Sequence, residues 1–449
     1  AKETKGCGFN WTFSPCAAIP FNEKWGRVYE AFSENTTLTQ NLVAASITGL
    51  QGKLGSKGTI MATAKHFIGD GATDYGIEGG NTTVSKQLYN DILLPPYKTA
   101  IEHNVGAIMA SFNNQHGINM HAHKALITDS LKNKYGFKGI VISDWKGYSR
   151  FGKSDVINAG LDMVMAVDGD LDLFQSEMKT FVDDGTVSID RINDAVRRIL
   201  IQKIKLGLFK NPYPESTYVK SIGSKAHRKL AKQAVSESLV LLKNDQALPL
   251  KPKSKIVIVG QHANNLGLQS GGWTISWQGK PENYPGGTTI LQGFNALNNF
   301  EIVYDTFGSL AIYDADYAIV CVGEKPYAEF FGDVGHEQSD CELTLDSAQQ
   351  QYINNYANKG PKLITVLVSG RPMVVTNQID KSDAFVAAWL PGSEGDGIAE
   401  VLSGNSDFKG KLPHTWPKSL DNFKGLYGPN YWNKENIGLF ELGYGLSYK

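Results

Sequence analysis

The sequence predicts an α/β protein with two domains, the first of them a barrel of the (β/α)8 TIM type. With 449 residues, the chain exceeds the size of one ordinary hydrophobic core. Short β-branched apolar runs alternate with helical patterns, which indicates parallel strands joined by right-handed crossovers. Polar residues directly follow several of these runs, and the carboxyl ends of barrel strands are where α/β barrels carry their functional side chains.

Five strand candidates lie in the first 210 residues. A closed barrel needs eight strands, and the pattern changes after Phe209, so the other units are not found downstream. At roughly 30 residues per strand and helix, about 100 residues are expected to precede Ala1. The alternative is an incomplete or open sheet. The candidate strands are Asn10–Ser14, Thr59–Ala64, Gly106–Phe112, Gly139–Ser143 and Gly160–Val167. Helical spacing predicts helices over 37–50, 85–103 and 188–206.

A stretch with two prolines and no periodicity separates the two predicted domains. Residues 211–223 (NPYPESTYVKSIG) are typical of an interdomain linker. We predict a partial barrel domain over 1–210, a second α/β layer domain over 224–415 and a C-terminal tail over 416–449. The second domain is predicted to open with a helix over 224–243. Its strand candidates are 255–260, 301–305, 317–323, 363–369 and 384–390.

Composition excludes several classes of partner. The 44 basic and 45 acidic residues leave a net charge of −1, which gives no basic excess for nucleic acid and no charge asymmetry for a membrane surface. No apolar run approaches the roughly 20 residues that a membrane span needs. The four cysteines lack the close spacing of zinc ligands, and no phosphate-binding glycine motif follows a strand. The sequence therefore predicts no metal and no cofactor.

Asp144 stands where the buried run Gly139–Ser143 ends, in the stretch YGFKGIVISDWKGYSR. An ionisable group at this end of a parallel strand favours catalysis, although aspartates also cap turns at strand ends. Trp145 offers an aromatic platform beside it, and Arg150 offers a bidentate donor. Lys65 and His66 follow another strand candidate; such a pair, taken alone, is more often a surface feature.

Several separate motifs, in order along the whole chain, resemble glycoside hydrolase family 3. Among its members the chain is similar to the plant-like exo-β-glucan glucohydrolases and the β-glucosidases. The resemblance implies a barrel followed by a six-stranded α/β sandwich. The motifs are SPCAAIPFNEKWGRVYE, AKHFIGDG, MHAHKALITDSLKNKYGFKGIVISDW, SLVLLKN, GGWTISWQG, VGEKPYAEFFGD, SGRP and AAWLPGSEG.

The resemblance also implies residue roles. Glycoside hydrolysis needs two carboxyl groups, one that attacks the anomeric carbon and one that protonates the leaving oxygen. Asp144 matches the nucleophile and Glu329 the acid/base, while Glu324 and Asp333 are competitors close by in the sequence. The substrate-binding residues implied are Arg27, Lys65, His66, Trp145, Arg150 and Trp277.

Three departures from the family pattern are visible. The early-barrel aspartate that holds outer hydroxyls of the sugar has no counterpart in the chain. Phe112 stands where many members have a tyrosine, which removes a hydroxyl near the nucleophile. Gly79 stands where plant-like members carry an acid at the rim of the site, with Glu78 adjacent.

The function implied is that of a retaining hydrolase that releases β-D-glucose from the non-reducing end of β-glucosides or β-glucans through a covalent glycosyl-aspartate. Its partners are β-linked glucose oligosaccharides or glucosides, and the resemblance implies a secreted or periplasmic protein. A β-xylosidase or a β-N-acetylglucosaminidase of the same family remains an alternative. So does an inactive fragment that only binds carbohydrate.

Overall fold

The computed structural model describes residues 1–167, 169–423 and 438–448, which divide into two compact units. The first unit contains Ala1–Asn22 and Glu30–Ile222. The second unit contains Glu23–Tyr29 together with most of the chain from Gly223 onward. A seven-residue segment from the N-terminal region therefore belongs to the second unit, which the sequence pattern gave no reason to expect.

The first unit is built on a parallel sheet of four strands that lie side by side in chain order. Two isolated parallel bridges, Trp11 to Met61 and Cys16 to Lys65, extend it beside its first strand, where the sequence predicted a regular strand over Asn10–Ser14. Within the described residues, this is fewer strands than a closed barrel contains. The four strands are β1 (Thr63–Phe67), β2 (Ala107–Ala110), β3 (Ile140–Trp145) and β4 (Met163–Met165).

Helices follow these strands as the alternating pattern predicts. The predicted helix near 37–50 is present as α2, whose N-cap Asn35 accepts a hydrogen bond from the Leu38 N–H at 2.9 Å. The helix predicted over 85–103 is wrong as a single element, because a π-helical segment, Tyr89–Leu93, interrupts it before the proline pair. A second π-helical segment is Ala125–Lys134. The α-helices are α1 (Lys2–Gly6), α2 (Thr36–Gln51), α3 (Lys86–Leu88), α4 (Pro95–Glu102), α5 (Gly147–Arg150), α6 (Ser154–Ala159), α7 (Asp170–Asp183) and α8 (Ile189–Lys205).

The second unit is built on a six-stranded sheet in the order β7-β6-β8-β9-β10-β5, in which only β5 runs antiparallel to its neighbour. The predicted helix over 224–243 is wrong at its end, because it stops at Ser238 and β5 follows. The strands are β5 (Val240–Asn244), β6 (Lys255–Val259), β7 (Glu301–Asp305), β8 (Tyr317–Gly323), β9 (Lys362–Val368) and β10 (Ala384–Ala387).

Helices cover both faces of this sheet. Alternate residues of β9 enter different apolar clusters, Ile364 and Val366 on one face and Leu363 and Leu367 on the other. The second unit is therefore an α/β sandwich with two cores. Its α-helices are α9 (Lys225–Ser238), α10 (Leu266–Ser270), α11 (Ile290–Leu297), α12 (Ser347–Tyr356), α13 (Thr376–Lys381) and α14 (Asp396–Leu402).

In the predicted tail, the short strand Trp416–Pro417 pairs with Gly438–Phe440. The stretch between Phe423 and Gly438 lies outside the described residues. No helix in the described part of the chain combines the length and apolar character that crossing a membrane requires.

A buried ion cluster ties the helical layer of the first unit to its sheet. The Asp162 carboxylate accepts hydrogen bonds from Lys132 at 2.6 Å, from the Arg191 guanidinium and from the Val141 N–H at 2.9 Å. Burial lowers the pKa of Lys132 to about 8, because it disfavours the charged ammonium more than the adjacent Asp162 favours it.

Replacing Asp162 by alanine is expected to destabilise the first unit by about 3–5 kcal/mol, because it leaves the buried Lys132 and the partly buried Arg191 with only the more exposed Asp194 as a shared partner. Urea unfolding followed by far-UV circular dichroism measures this loss. Asp183→Ala, which breaks an exposed helix pair with Lys179, is the control and should change stability little. A small effect of Asp162→Ala would show that the cluster contributes no net stability.

Candidate active site

In the first unit, Asp144 lies near the end of β3, and hydrogen bonds fix both its backbone and its side chain. Its side-chain Oδ1 accepts a hydrogen bond from the Trp145 N–H at 2.6 Å. Its own N–H donates to His121 Nε2 at 2.9 Å. The residue is 9 % exposed, so the carboxylate lies at the edge of the core rather than in open solvent.

His121 is neutral in this arrangement because its Nε2 accepts a hydrogen bond and carries no proton. Burial lowers its pKa to about 3, and its ring stacks on Phe151 at 4.8 Å between centroids. The unfolded chain would bind a proton at this residue near the ordinary pKa of about 6.5. Stability from the buried neutral ring is therefore present above that pH and is lost progressively as the pH falls towards the folded-state value.

His66 connects Asp144 to a second carboxylate. His66 lies on β1 and its Nδ1 is 2.6 Å from Asp70 Oδ2, while its Nε2 is 3.7 Å from Asp144 Oδ2. An ionised carboxylate can only accept hydrogen bonds, so the contact with Asp70 requires that the His66 proton is on Nδ1. The other ring nitrogen, Nε2, then faces Asp144. The structure thus brings together two of the residues singled out from the sequence.

Three further sequence candidates lie in this unit. Lys65 is next to His66 on β1, and its Nζ is 3.7 Å from Glu30 Oε2. The Trp145 side chain is 50 % exposed. The exposed Arg150 places its guanidinium over the rings of Phe112 and Phe151, at 5.0 and 5.6 Å from their centroids.

Sequence reasoning did not assign roles to Asp70, His121 or Glu30. His121 contacts Asp144 and Glu30 contacts Lys65, and both partners are distant in the chain, so periodicity does not reveal these contacts. The spacing of His66 and Asp70 within AKHFIGDG was the one available signal, since it places a carboxylate four residues after the imidazole.

In the second unit, the loop after β8 carries Glu329, which the resemblance matches to the acid/base, together with its two competitors Glu324 and Asp333. Glu324 is 7 % exposed at its side chain and is paired with the buried Arg371, with Nε to Oε1 at 2.8 Å. Asp333 is fully buried and accepts a hydrogen bond from the Gly26 N–H at 2.7 Å. Glu329 is the most accessible of the three, with its side chain 19 % exposed.

Glu329 opens a short 3-10 turn, Glu329–Gly332, and adopts a positive φ of 53°. Its Oε1 lies 3.5 Å from Nη1 of Arg27, whose side chain is almost fully buried in the same unit. Phe330 and Phe331 stack on each other at 4.7 Å, and the Trp277 ring packs edge-on against both. Trp277 itself remains 42 % exposed.

Comparison with known proteins gives the family. The model of the glycosyl hydrolase family 3 N-terminal domain matches residues 1–201, and that of the C-terminal domain matches residues 239–448. The chain belongs to glycosyl hydrolase family 3. This confirms the resemblance and the predicted α/β fold class, a barrel-type domain followed by an α/β sandwich.

Two curated relatives match the whole chain at 30 % identity. They are a lysosomal beta glucosidase of Dictyostelium discoideum and a periplasmic beta-glucosidase of Salmonella typhimurium. The chain spans 59 % and 66 % of the length of these relatives.

Solved structures of two named glucan- and glucoside-hydrolysing enzymes are similar to this chain along its whole length. A mutant of the exo-1,3/1,4-beta-glucanase from a Pseudoalteromonas species superposes with a TM-score of 0.91 and 37 % identity, over all of this chain and 75 % of that one. The beta-glucosidase from Listeria innocua, in complex with glucose, gives a TM-score of 0.86 and 28 % identity, over all of this chain and 66 % of that one.

Proposed function

We propose that this protein is a retaining glycoside hydrolase that releases β-D-glucose from the non-reducing end of β-glucosides or β-glucans. The observation that carries the proposal is the Asp144 carboxylate, held at the end of a buried parallel strand with His66 3.7 Å away, in a chain of family 3. Relatives named as beta-glucosidases and an exo-beta-glucanase support the substrate class.

In the proposed first step, an oxygen of the ionised Asp144 attacks the anomeric carbon. The bond from that carbon to the glycosidic oxygen breaks, and the departing oxygen takes the proton of Glu329. In the second step, water gives a proton to Glu329 and attacks the same carbon, which releases Asp144. Two inversions return the sugar with its β configuration, and only carboxyl groups and water take part, so we propose no cofactor.

Side chains of the first and the second unit are proposed to hold the sugar. Lys65 and His66 donate hydrogen bonds to its hydroxyl groups, and the guanidinium groups of Arg27 and Arg150 offer further donors. The half-exposed rings of Trp145 and Trp277 present flat apolar faces on which the C–H face of a sugar can stack.

The stereochemistry of the first-formed sugar tests this proposal. Proton NMR during the first minutes of hydrolysis of an aryl β-glucoside should show the β anomer of glucose accumulating before mutarotation produces the α anomer. Retention is expected because each of the two displacements inverts the anomeric centre. Initial α-glucose would mean a single displacement and would overturn the role of Asp144 as nucleophile.

A second candidate substrate is a β-xyloside. Relatives named as a beta-xylosidase of Formosa agariphila and a beta-glucosidase/beta-xylosidase of Dickeya chrysanthemi each match the whole chain at 26 % identity. The two sugars differ only in the hydroxymethyl group at the fifth ring carbon. The ratio of kcat/KM on matched aryl glucosides and xylosides therefore distinguishes them, and we expect the glucoside to be preferred.

We also propose that the protein acts in the periplasm or outside the cell. The support is the periplasmic naming of the Salmonella typhimurium and Dickeya chrysanthemi relatives. Fractionation of the source cells, followed by assay of each fraction with an aryl β-glucoside, tests this placement.

A further inference from the structure

The buried guanidinium of Arg371 forms hydrogen bonds with two segments of the second unit that contain residues of the proposed mechanism. Arg371 follows β9 and is fully buried. Its Nε donates to Oε1 of Glu324 at 2.8 Å, and Glu324 directly follows β8. Its Nη1 lies within reach of three consecutive backbone carbonyls, those of residues 23, 24 and 25, at 3.1, 3.3 and 3.4 Å.

The Glu324 carboxylate is fixed on its other side as well. Its Oε2 accepts hydrogen bonds from the Tyr327 hydroxyl and from the Gly370 N–H, both at 2.9 Å. The Tyr327 ring lies 4.7 Å from the carbon at the centre of the Arg371 guanidinium, and the Tyr29 hydroxyl donates to the Tyr327 carbonyl at 2.9 Å. Both carboxylate oxygens of Glu324 therefore accept hydrogen bonds from the protein itself, so this carboxylate is not placed to give a proton to a substrate.

Each of the two segments held by Arg371 is close in sequence to a residue of the proposed mechanism. Arg27 lies two residues beyond the carbonyl of Trp25, and Glu329 lies five residues beyond Glu324. A Cβ added at Gly26 would come within 2.1 Å of the Glu329 carbonyl oxygen. The two backbones are therefore in close contact next to the Arg27–Glu329 pair, and small displacements of either segment change its geometry.

We propose that Arg371 and Glu324 form a positioning clamp that sets Glu329 relative to Arg27, an inference that rests on the proposed role of Glu329 as acid/base. The planar fork of arginine suits this task because it can donate to a carboxylate and to backbone carbonyls at once, in fixed directions. A lysine would keep the charge and lose the fork. Glu324 is accordingly a positioning residue and not the proton donor.

Arg371→Lys and Tyr327→Phe test the clamp. Each is expected to lower kcat/KM about 10–100-fold on a β-glucoside with a poor leaving group, because displacements of about 1 Å carry penalties of this size. On an aryl β-glucoside with an activated leaving group, which needs little protonation, the loss should stay below about threefold. Tyr327→Phe removes only a hydroxyl, so it remains informative if the lysine variant folds poorly.

The matched control is Arg228→Lys. Arg228 also pairs with a buried glutamate, Glu394, and donates to the Ser393 carbonyl at 3.1 Å in the same unit. We expect Arg228→Lys either to leave kcat/KM unchanged or to lower it by the same factor on the glucosides with poor and with activated leaving groups. A general loss of folded protein would likewise lower both rates by the same factor.

The possible results distinguish a failure of the clamp proposal from a failure of the proposed function of Glu329. If Glu329→Ala shows the leaving-group dependence and the Arg371 and Tyr327 variants lower both rates equally, the clamp is wrong while the role of Glu329 stands. If Glu329→Ala itself shows no such dependence, the proposed function of that residue fails first. The clamp is supported only when all three variants are selective for the poor leaving group and Arg228→Lys is not.

Discussion

Replacing Asp144 by asparagine is expected to lower kcat on an aryl β-glucoside by at least about 10⁴-fold, since removing a nucleophile removes the covalent route altogether. Asparagine has nearly the same shape, and its side-chain oxygen can still accept the hydrogen bond from the Trp145 N–H. The loss should therefore appear in turnover, with the fold retained. Steady-state kinetics together with a thermal melt of both proteins measure this.

The control for this variant is Asp129→Asn, which makes the same chemical change at an exposed position of the Ala125–Lys134 segment. It should leave both kcat and the melting temperature near their original values. An Asp144→Asn protein that melts normally and retains more than about a tenth of its activity would contradict the assignment of the nucleophile.

Replacing Glu329 by alanine is expected to lower kcat/KM about 10²–10⁴-fold on an alkyl β-glucoside, and less than about tenfold on a dinitrophenyl β-glucoside. The difference arises because an activated phenolate leaves without a proton, whereas an alkoxide does not. The ratio kcat/KM is the right measurement, since it reports formation of the glycosyl-enzyme and is insensitive to the later hydrolysis step, which also uses Glu329 as base.

Glu337→Ala is the control for this experiment, because it removes an exposed glutamate close in sequence to the same loop. It should change neither rate. Equal losses on the two glucosides in Glu329→Ala would instead move the acid role elsewhere, and the burial of Glu324 and Asp333 leaves little reason to expect either of them to take it.

The sequence predicted those parts of the fold that local patterns determine. The apolar spacing over 188–206 predicted α8, and the short β-branched run before Asp144 predicted β3 with its carboxylate near the strand end. It failed at β5, where Ser238 ends a helix and a strand begins at Val240. The run LVLLKN has no glycine or proline before it, so nothing local marks the boundary.

The candidate site was predictable only in part, because much of it depends on contacts between distant residues. The positions of Asp144, Lys65 and His66 after buried runs pointed to chemistry, but the Asp70–His66–Asp144 series required the tertiary structure. Likewise, the local residue pattern left Glu324, Glu329 and Asp333 as equals, and only the resemblance to the family favoured Glu329. In the structure, the burial of Glu324 against Arg371 distinguishes it from the more accessible Glu329.

Trapping the reaction intermediate tests the central claim most directly. In Glu329→Ala, a dinitrophenyl β-glucoside should form the glycosyl-enzyme quickly, while its hydrolysis is slow because the base is absent. Mass spectrometry of the quenched protein should then show one added hexosyl group, and peptide mapping should locate it on Asp144. A hexosyl group on another residue, or none under conditions where dinitrophenol is released in a burst, would contradict the account.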